Sequence, residues 1–134
     1  VLRESIFRVF AAIAGGQEPA SADIEFLASE WRKSQCHLRL VRLPDGYALG
    51  WDDEPALEGA LRKICSAAVS LLTSEEAGRI GQCSGEACDW LFVNRSRNHL
   101  RRWCSMDECG NRAKMQRRQA RMKLCARQDV QAEP

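Results

Sequence analysis

Four cysteines near the C-terminal end have the spacing of a metal site. Cys83 and Cys88 form one pair with four residues between them, and Cys104 and Cys109 form a second with the same internal spacing. Fifteen residues separate the pairs. Two short-spaced pairs around a hairpin-sized insert are the sequence pattern of a tetrahedral zinc–tetrathiolate centre. Each pair offers two thiolates from one turn, so only the insert costs much loop entropy. Four protein ligands leave no position open for water or substrate, which disfavours catalysis. Arg101, Arg102 and Arg112 stand near enough in sequence to offset the charge of the thiolates. No nucleophile–base pair, phosphate loop or His-rich metal motif is visible, and the expectation is a protein that is not an enzyme.

The residues after the second pair are strongly basic. Residues 1–94 hold 9 Lys and Arg against 14 Asp and Glu, a net −5, while residues 95–127 hold 11 against 2, a net +9. The overall charge of +2 hides this division. A helix is expected from about Asp107 to about residue 127. At 100° per residue, Lys114, Arg117, Arg118 and Arg121 fall within one sector of it, with no acidic residue among them. A one-sided row of cations suits contacts to phosphates, and arginine adds bidentate reach to a guanine edge. The competing reading is a solvated basic helix or a protein-binding one. Met115 and Met122, seven apart, share another face expected to dock on the finger.

Other residues are weighed between chemistry and packing. His99 lies between the cysteine pairs, but four cysteines suffice, so it reads as a surface residue. Trp90, Phe92 and Trp103 could stack on bases, yet a small finger needs a core and these are its largest apolar groups. Trp31, Tyr47 and Trp51 read as core rather than as a pocket. Gly85, in the turn between the first two ligands, is free to take a positive φ. Cys36, Cys65 and Cys125 stand alone and read as small buried hydrophobes. An odd total of seven cysteines, four of them metal ligands, fits a reducing compartment better than a disulfide framework.

The segment ahead of the cysteines must position the module or regulate it. Leu2, Ile6, Val9, Phe10 and Ile13 recur at helical spacing up to Gly15-Gly16. Pro19 and Ser21 open a second helix, with Ser21 as N-cap and Ile24, Leu27, Ala28 and Trp31 as its apolar face. His37–Leu43 alternates as a strand, Pro44-Asp45-Gly46 turns, and Tyr47–Trp51 returns. Asp52 or Asp53 caps a third helix with Pro55 in its first turn. Its expected buried stripe is Leu57, Leu61, Ile64, Cys65, Ala68, Leu71 and Leu72. No run of ~18 apolar residues predicts a transmembrane helix, and no signal sequence opens the chain. The first residue is Val1, not Met, and the expectation is that elements of this domain lie upstream.

The run Arg102-Trp103-Cys104-Ser105-Met106-Asp107-Glu108-Cys109-Gly110-Asn111-Arg112-Ala113-Lys114 resembles the signature of the bacterial CGNR zinc finger family. Cys83-Ser84-Gly85-Glu86-Ala87-Cys88 and Trp90-Leu91-Phe92-Val93 are similar to the first half of that finger. The resemblance covers about residues 79–125. Members carry an N-terminal ABATE domain, and Arg42-Leu43-Pro44-Asp45-Gly46-Tyr47 with its flanking helices looks like the later part of one. The resemblance implies Zn2+ on Cys83, Cys88, Cys104 and Cys109, structural work for Asn111, and either structural or phosphate-binding work for Arg112. It also implies stress-induced transcription regulation through a DNA-binding finger.

The combined expectation is an α+β chain. A mainly helical ABATE-like domain with one hairpin spans residues 1–78, and a treble-clef-like, four-cysteine zinc finger with a basic C-terminal helix spans residues 79–127. DNA is the expected partner, met by Arg112, Lys114, Arg117, Arg118 and Arg121, in the cytoplasm. A homodimer or a small-molecule effector would engage the N-terminal domain. A zinc-stabilised protein-interaction adaptor is the alternative, and RNA binding a third. The DNA and adaptor readings separate on whether the basic row faces solvent.

Overall fold

The computed structural model describes residues 1–52 and 56–131, with side chains described up to Lys123 except that of Ala56. The chain divides into two compact units, Val1–Ile80 and the residues from Gly81 onward.

In the first unit, helix α1 (Leu2–Ala14) and helix α2 (Ser21–Gln35) pack together, and α2 packs in turn on helix α3 (Ala56–Leu72). The helical period of α1 places Val9 and Phe10 in the core, where Leu27 of α2 and Cys65 and Ala68 of α3 complete it. The Cys65 thiol lies 3.8 Å from the Leu27 carbonyl, and burial raises its pKa. An ion pair fastens α1 to α2. Arg8 donates from Nε to Asp23 Oδ2 at 2.8 Å and from Nη2 to Asp23 Oδ1 at 2.5 Å, and also from Nη2 to Ser5 Oγ at 3.2 Å. Asp23 is buried, and its bond to Arg8 holds its carboxyl below the usual range. This pair had no periodic signal in the sequence, because its partners lie fifteen residues apart.

Strands β1 (Leu38–Leu43) and β2 (Gly46–Trp51) pair antiparallel with Leu43 opposite Gly46, so Pro44-Asp45 forms a two-residue loop. A 3-10 turn (Glu75–Arg79) follows α3, with the Ser74 hydroxyl accepting from the Glu76 N–H.

Several expectations shift. Ser21 is the first residue of α2 rather than its cap; Ala20 holds the cap position, with no side-chain bond. The cap assigned to Asp53 and the first-turn role of Pro55 lie outside the described residues. The stripe on α3 is only partly buried: Cys65 and Ala68 are inside, while Leu57, Leu61 and Ile64 are exposed. Its packing on α2 uses a narrower arc than the apolar pattern offers. Cys36 is exposed, unlike Cys65, and the side chain of Cys125 lies outside the described residues. Tyr47 is exposed and Trp31 and Trp51 are half-buried, so these three form no shared core.

Strand β3 (Ile80–Gln82) begins at the last residue of the first unit and pairs with β4 (Leu91–Val93). A π-helical turn (Met106–Gly110) leads directly into the long helix α4 (Asn111–Gln131). Among the described residues, no helix is long and apolar enough to cross a membrane.

Candidate metal centre and basic helix

Three local devices bring the four cysteines together. The β3–β4 pairing continues past the strand, as the Cys83 N–H donates to the Trp90 carbonyl at 2.9 Å. That bond closes the turn 84–89 holding Cys88. The Ser84 N–H donates to the Arg102 carbonyl at 2.9 Å and so draws in the segment before Cys104. The π turn then carries Cys109 inward, with the Gly110 N–H reaching the Ser105 carbonyl at 3.0 Å. The hairpin-sized insert therefore holds no hairpin of its own: β4 pairs backward across the first cysteine turn, and Leu100–Cys104 forms no strand. The wider π turn was not legible from spacing.

The sulfur atoms of Cys83, Cys88, Cys104 and Cys109 all lie within 4.8 Å of one another. Cys88 and Cys104 are 3.8 Å apart, and Cys104 and Cys109 3.6 Å. A tetrahedron with metal–sulfur bonds of ~2.3 Å has edges of about 3.8 Å. The donor set therefore fits a tetrahedral metal ion, and Cys83 and Cys109 are buried within it.

Electrostatics point the same way. Burial opposes ionisation of Cys83, but N–H bonds from Cys104 at 3.3 Å and Gly85 at 3.4 Å outweigh it and hold its pKa at about 7. Cys109, tied to Cys104 and Cys88, is pushed up to about 12. Burial, with the Cys83 and Cys88 sulfurs, also raises Cys104. Four thiolates this close repel, and a cation at their centre is what lets them ionise together.

Glycine matters here for space. A Cβ on Gly85 would sit 3.1 Å from Cys109 Sγ and 3.2 Å from Cys88 Cβ. A Cβ on Gly110 would meet the Met106 sulfur at 2.8 Å. The positive φ expected of Gly85 falls instead on Ala87, at 57°.

The supporting side chains surround this centre. Arg101 donates from Nε to the Trp103 carbonyl at 2.9 Å and from Nη2 to the Cys104 carbonyl, with its guanidinium 4.5 Å from the Phe92 ring centroid. Arg102 lies over Trp103 at 5.5 Å. Both arginines thus brace the module, Arg101 through carbonyls and a ring and Arg102 through a ring. Asn111 donates from Nδ2 to the Asp107 carbonyl at 3.2 Å and pins the π turn to the start of α4. Buried Asn94 was missed as a single residue. Its Oδ1 accepts from the Ser96 N–H and hydroxyl, and its Nδ2 donates to the His99 carbonyl at 2.8 Å. Asn followed two residues later by Ser was the available signal for this turn. His99 is exposed, with φ 52°. Phe92 and Trp103 are half-buried, whereas Trp90 is 69% exposed and belongs to no core.

Helix α4 leaves the centre with its described side chains largely exposed. Of residues 112–123, only Ala113 is partly buried. The Gln116 amide donates to Glu86 Oε2 at 2.9 Å, linking α4 back to the first cysteine turn. Arg112 is exposed, and Lys114, Arg117, Arg118 and Arg121, with Asn111 and Met115, line a groove of about 540 Å3. Met115 and Met122 are exposed and do not dock on the finger, and Met115 lines the cationic groove instead.

Residues 1–75 match the ABATE family model, described as "Putative stress-induced transcription regulator", and residues 79–122 match the CGNR zinc finger model. The chain belongs to the ABATE family and carries a CGNR zinc finger. No curated protein matches it. The CGNR match spans all four clustered cysteines and the basic row on α4; the ABATE match spans α1 to α3.

Proposed function

We propose that this ABATE–CGNR protein is a zinc-dependent, DNA-binding transcription regulator. Zn2+ is held by Cys83, Cys88, Cys104 and Cys109 in a structural site. The sulfur-only donor set favours zinc over harder cations, and its closure supports a non-catalytic role. Knuckle, paired strands and helix follow in the order of a treble clef. Arg112, Lys114, Arg117, Arg118 and Arg121 meet DNA, and the N-terminal unit senses a ligand or dimerises. A cytoplasmic setting suits both thiolates and target.

The observation that carries this reading is the exposed, one-sided row of cations on α4, rooted beside the thiolate cluster. Exposure leaves its charge available to phosphates. Duplex binding by the zinc-loaded chain should weaken linearly in a log–log salt plot, with a slope of about −0.9 per phosphate contacted. Replacing Arg117 and Arg121 by Gln should flatten that slope by up to ~2 and leave zinc content unchanged. Absence of duplex affinity at low salt, or a double variant equal to the parent in affinity and slope, would overturn the reading. A partner protein captured through α4 would then favour the adaptor.

A further inference from the structure

The β1–β2 hairpin carries an apolar face that is half-buried at Leu38 and Trp51 and exposed beyond them. Its register places Leu38, Leu40 and Arg42 beside Trp51, Leu49 and Tyr47 on one face. Leu40 is 69% exposed, Leu49 71% and Tyr47 67%. The hairpin's main packing is between its own two strands. A two-stranded ribbon is marginal in water by itself and gains independent stability with three or more strands.

The two outer edges differ. The Asp52 N–H donates to the His37 carbonyl, which fixes the alternation of the ladder. Gly46, Ala48 and Gly50 bond inward to β1, so the N–H and C=O groups of Tyr47, Leu49 and Trp51 point outward along β2. By the same alternation, the backbone groups of Leu38, Leu40 and Arg42 point outward along β1. Strand β1 carries Arg39 and Arg42, while β2 has no charged residue from Gly46 to Trp51. Charged side chains guard an edge against pairing, and β2 has none.

We propose that β2 is a homodimer interface. Two copies pair antiparallel about a two-fold axis at Leu49 and form one four-stranded sheet. This register sets Leu49 opposite the partner's Leu49 and Tyr47 opposite the partner's Trp51. All three outward-pointing residues then meet outward-pointing residues, for about six interchain backbone hydrogen bonds. Tyr–Trp is a favourable cross-strand pair, and the apolar faces join into one. The equivalent pairing of β1 about Leu40 would set Arg42 against the partner's Leu38. In the β2 dimer the Arg-bearing β1 strands form both outer edges, which closes the assembly at two chains. The proposal takes up the dimerising role assigned above to the N-terminal unit and does not depend on DNA binding.

Sedimentation of the zinc-loaded, 134-residue chain without DNA tests it. A mass twice the 15.1 kDa chain is expected. Leu49→Arg places like charges opposite each other at the axis and should yield a monomer with unchanged helix content and zinc. Leu49→Pro removes an outward N–H while sparing the β1–β2 ladder and should also yield a monomer. Leu40→Pro makes the same change on the other edge and should leave the dimer. A monomeric parent chain would overturn the proposal and leave the face to another partner. A dimer surviving Leu49→Arg, or one lost equally in Leu40→Pro, would also overturn it. Duplex affinity plays no part in these measurements, so this proposal and the DNA reading can fail separately.

Discussion

A side chain at Gly85 would press on the sulfur of Cys109, 3.1 Å from its Cβ. Gly85→Ala should therefore spread the four thiolates without removing any of them. Metal affinity should fall roughly 10–100-fold, the range seen when a support of a ligand set is lost, as read by competition with a chromogenic chelator. The thiols also set a pH dependence. Binding needs thiolates, so protons on Cys104 and Cys109, both raised above the ordinary thiol range, must leave as the metal enters. Apparent affinity should fall as pH falls, and more steeply below about 7, where Cys83 also takes up its proton. Titrations between pH 6 and 8, chosen as roughly one unit either side of that value, would show a pH-independent affinity if this account were wrong.

At the scale of elements, burial rather than apolar character decides what a side chain contributes. Leu27 lies fully inside between α2 and its neighbours, whereas Leu57 stands exposed on α3. Leu27→Ala should cost about 2–4 kcal/mol. Leu57→Ala should stay within about 0.5 kcal/mol. Urea unfolding followed through the helical signal measures both, and equal costs would mean that the face of α3 bearing Leu57 is covered. For α4 the same logic explains why its charges remain available. Its contacts near the root, through Asn111 and Gln116, fix its start, and the side chains described beyond them are exposed.

Across the whole molecule, the two units draw stability from different sources. The first has an apolar core of Val9, Phe10, Leu27, Cys65 and Ala68. In the second, the buried hydrophobic side chains among the described residues are Cys83 and Cys109. A unit with so little apolar core should depend on its metal for folding. Chelation should remove hydrogen-exchange protection from residues 81–110 and leave that of α1 and α2 largely intact. Equal loss in both regions would show one cooperative unit instead of two.

The types and spacing of residues were enough to point to the helices α1 to α3, the β1–β2 hairpin, the four cysteines that cluster and the cationic row of α4. These features rest on short-range periodicity and on charge, which a linear chain displays directly. The ladder register of β1 and β2 was not among them: Pro44-Asp45-Gly46 is turn chemistry, but Leu43 pairs with Gly46 and leaves a two-residue loop. Only the tertiary structure decided how the four cysteines converge: the backward pairing of β4, the bond from Ser84 to Arg102, and the π turn at Met106–Gly110. It alone joined Arg8 to Asp23, left Leu57, Leu61 and Ile64 outside, and exposed Trp90. Periodicity specifies that a side chain is apolar and which way it points relative to its neighbours in sequence. Whether anything stands opposite depends on contacts between residues far apart in the chain, and those are set when the elements pack.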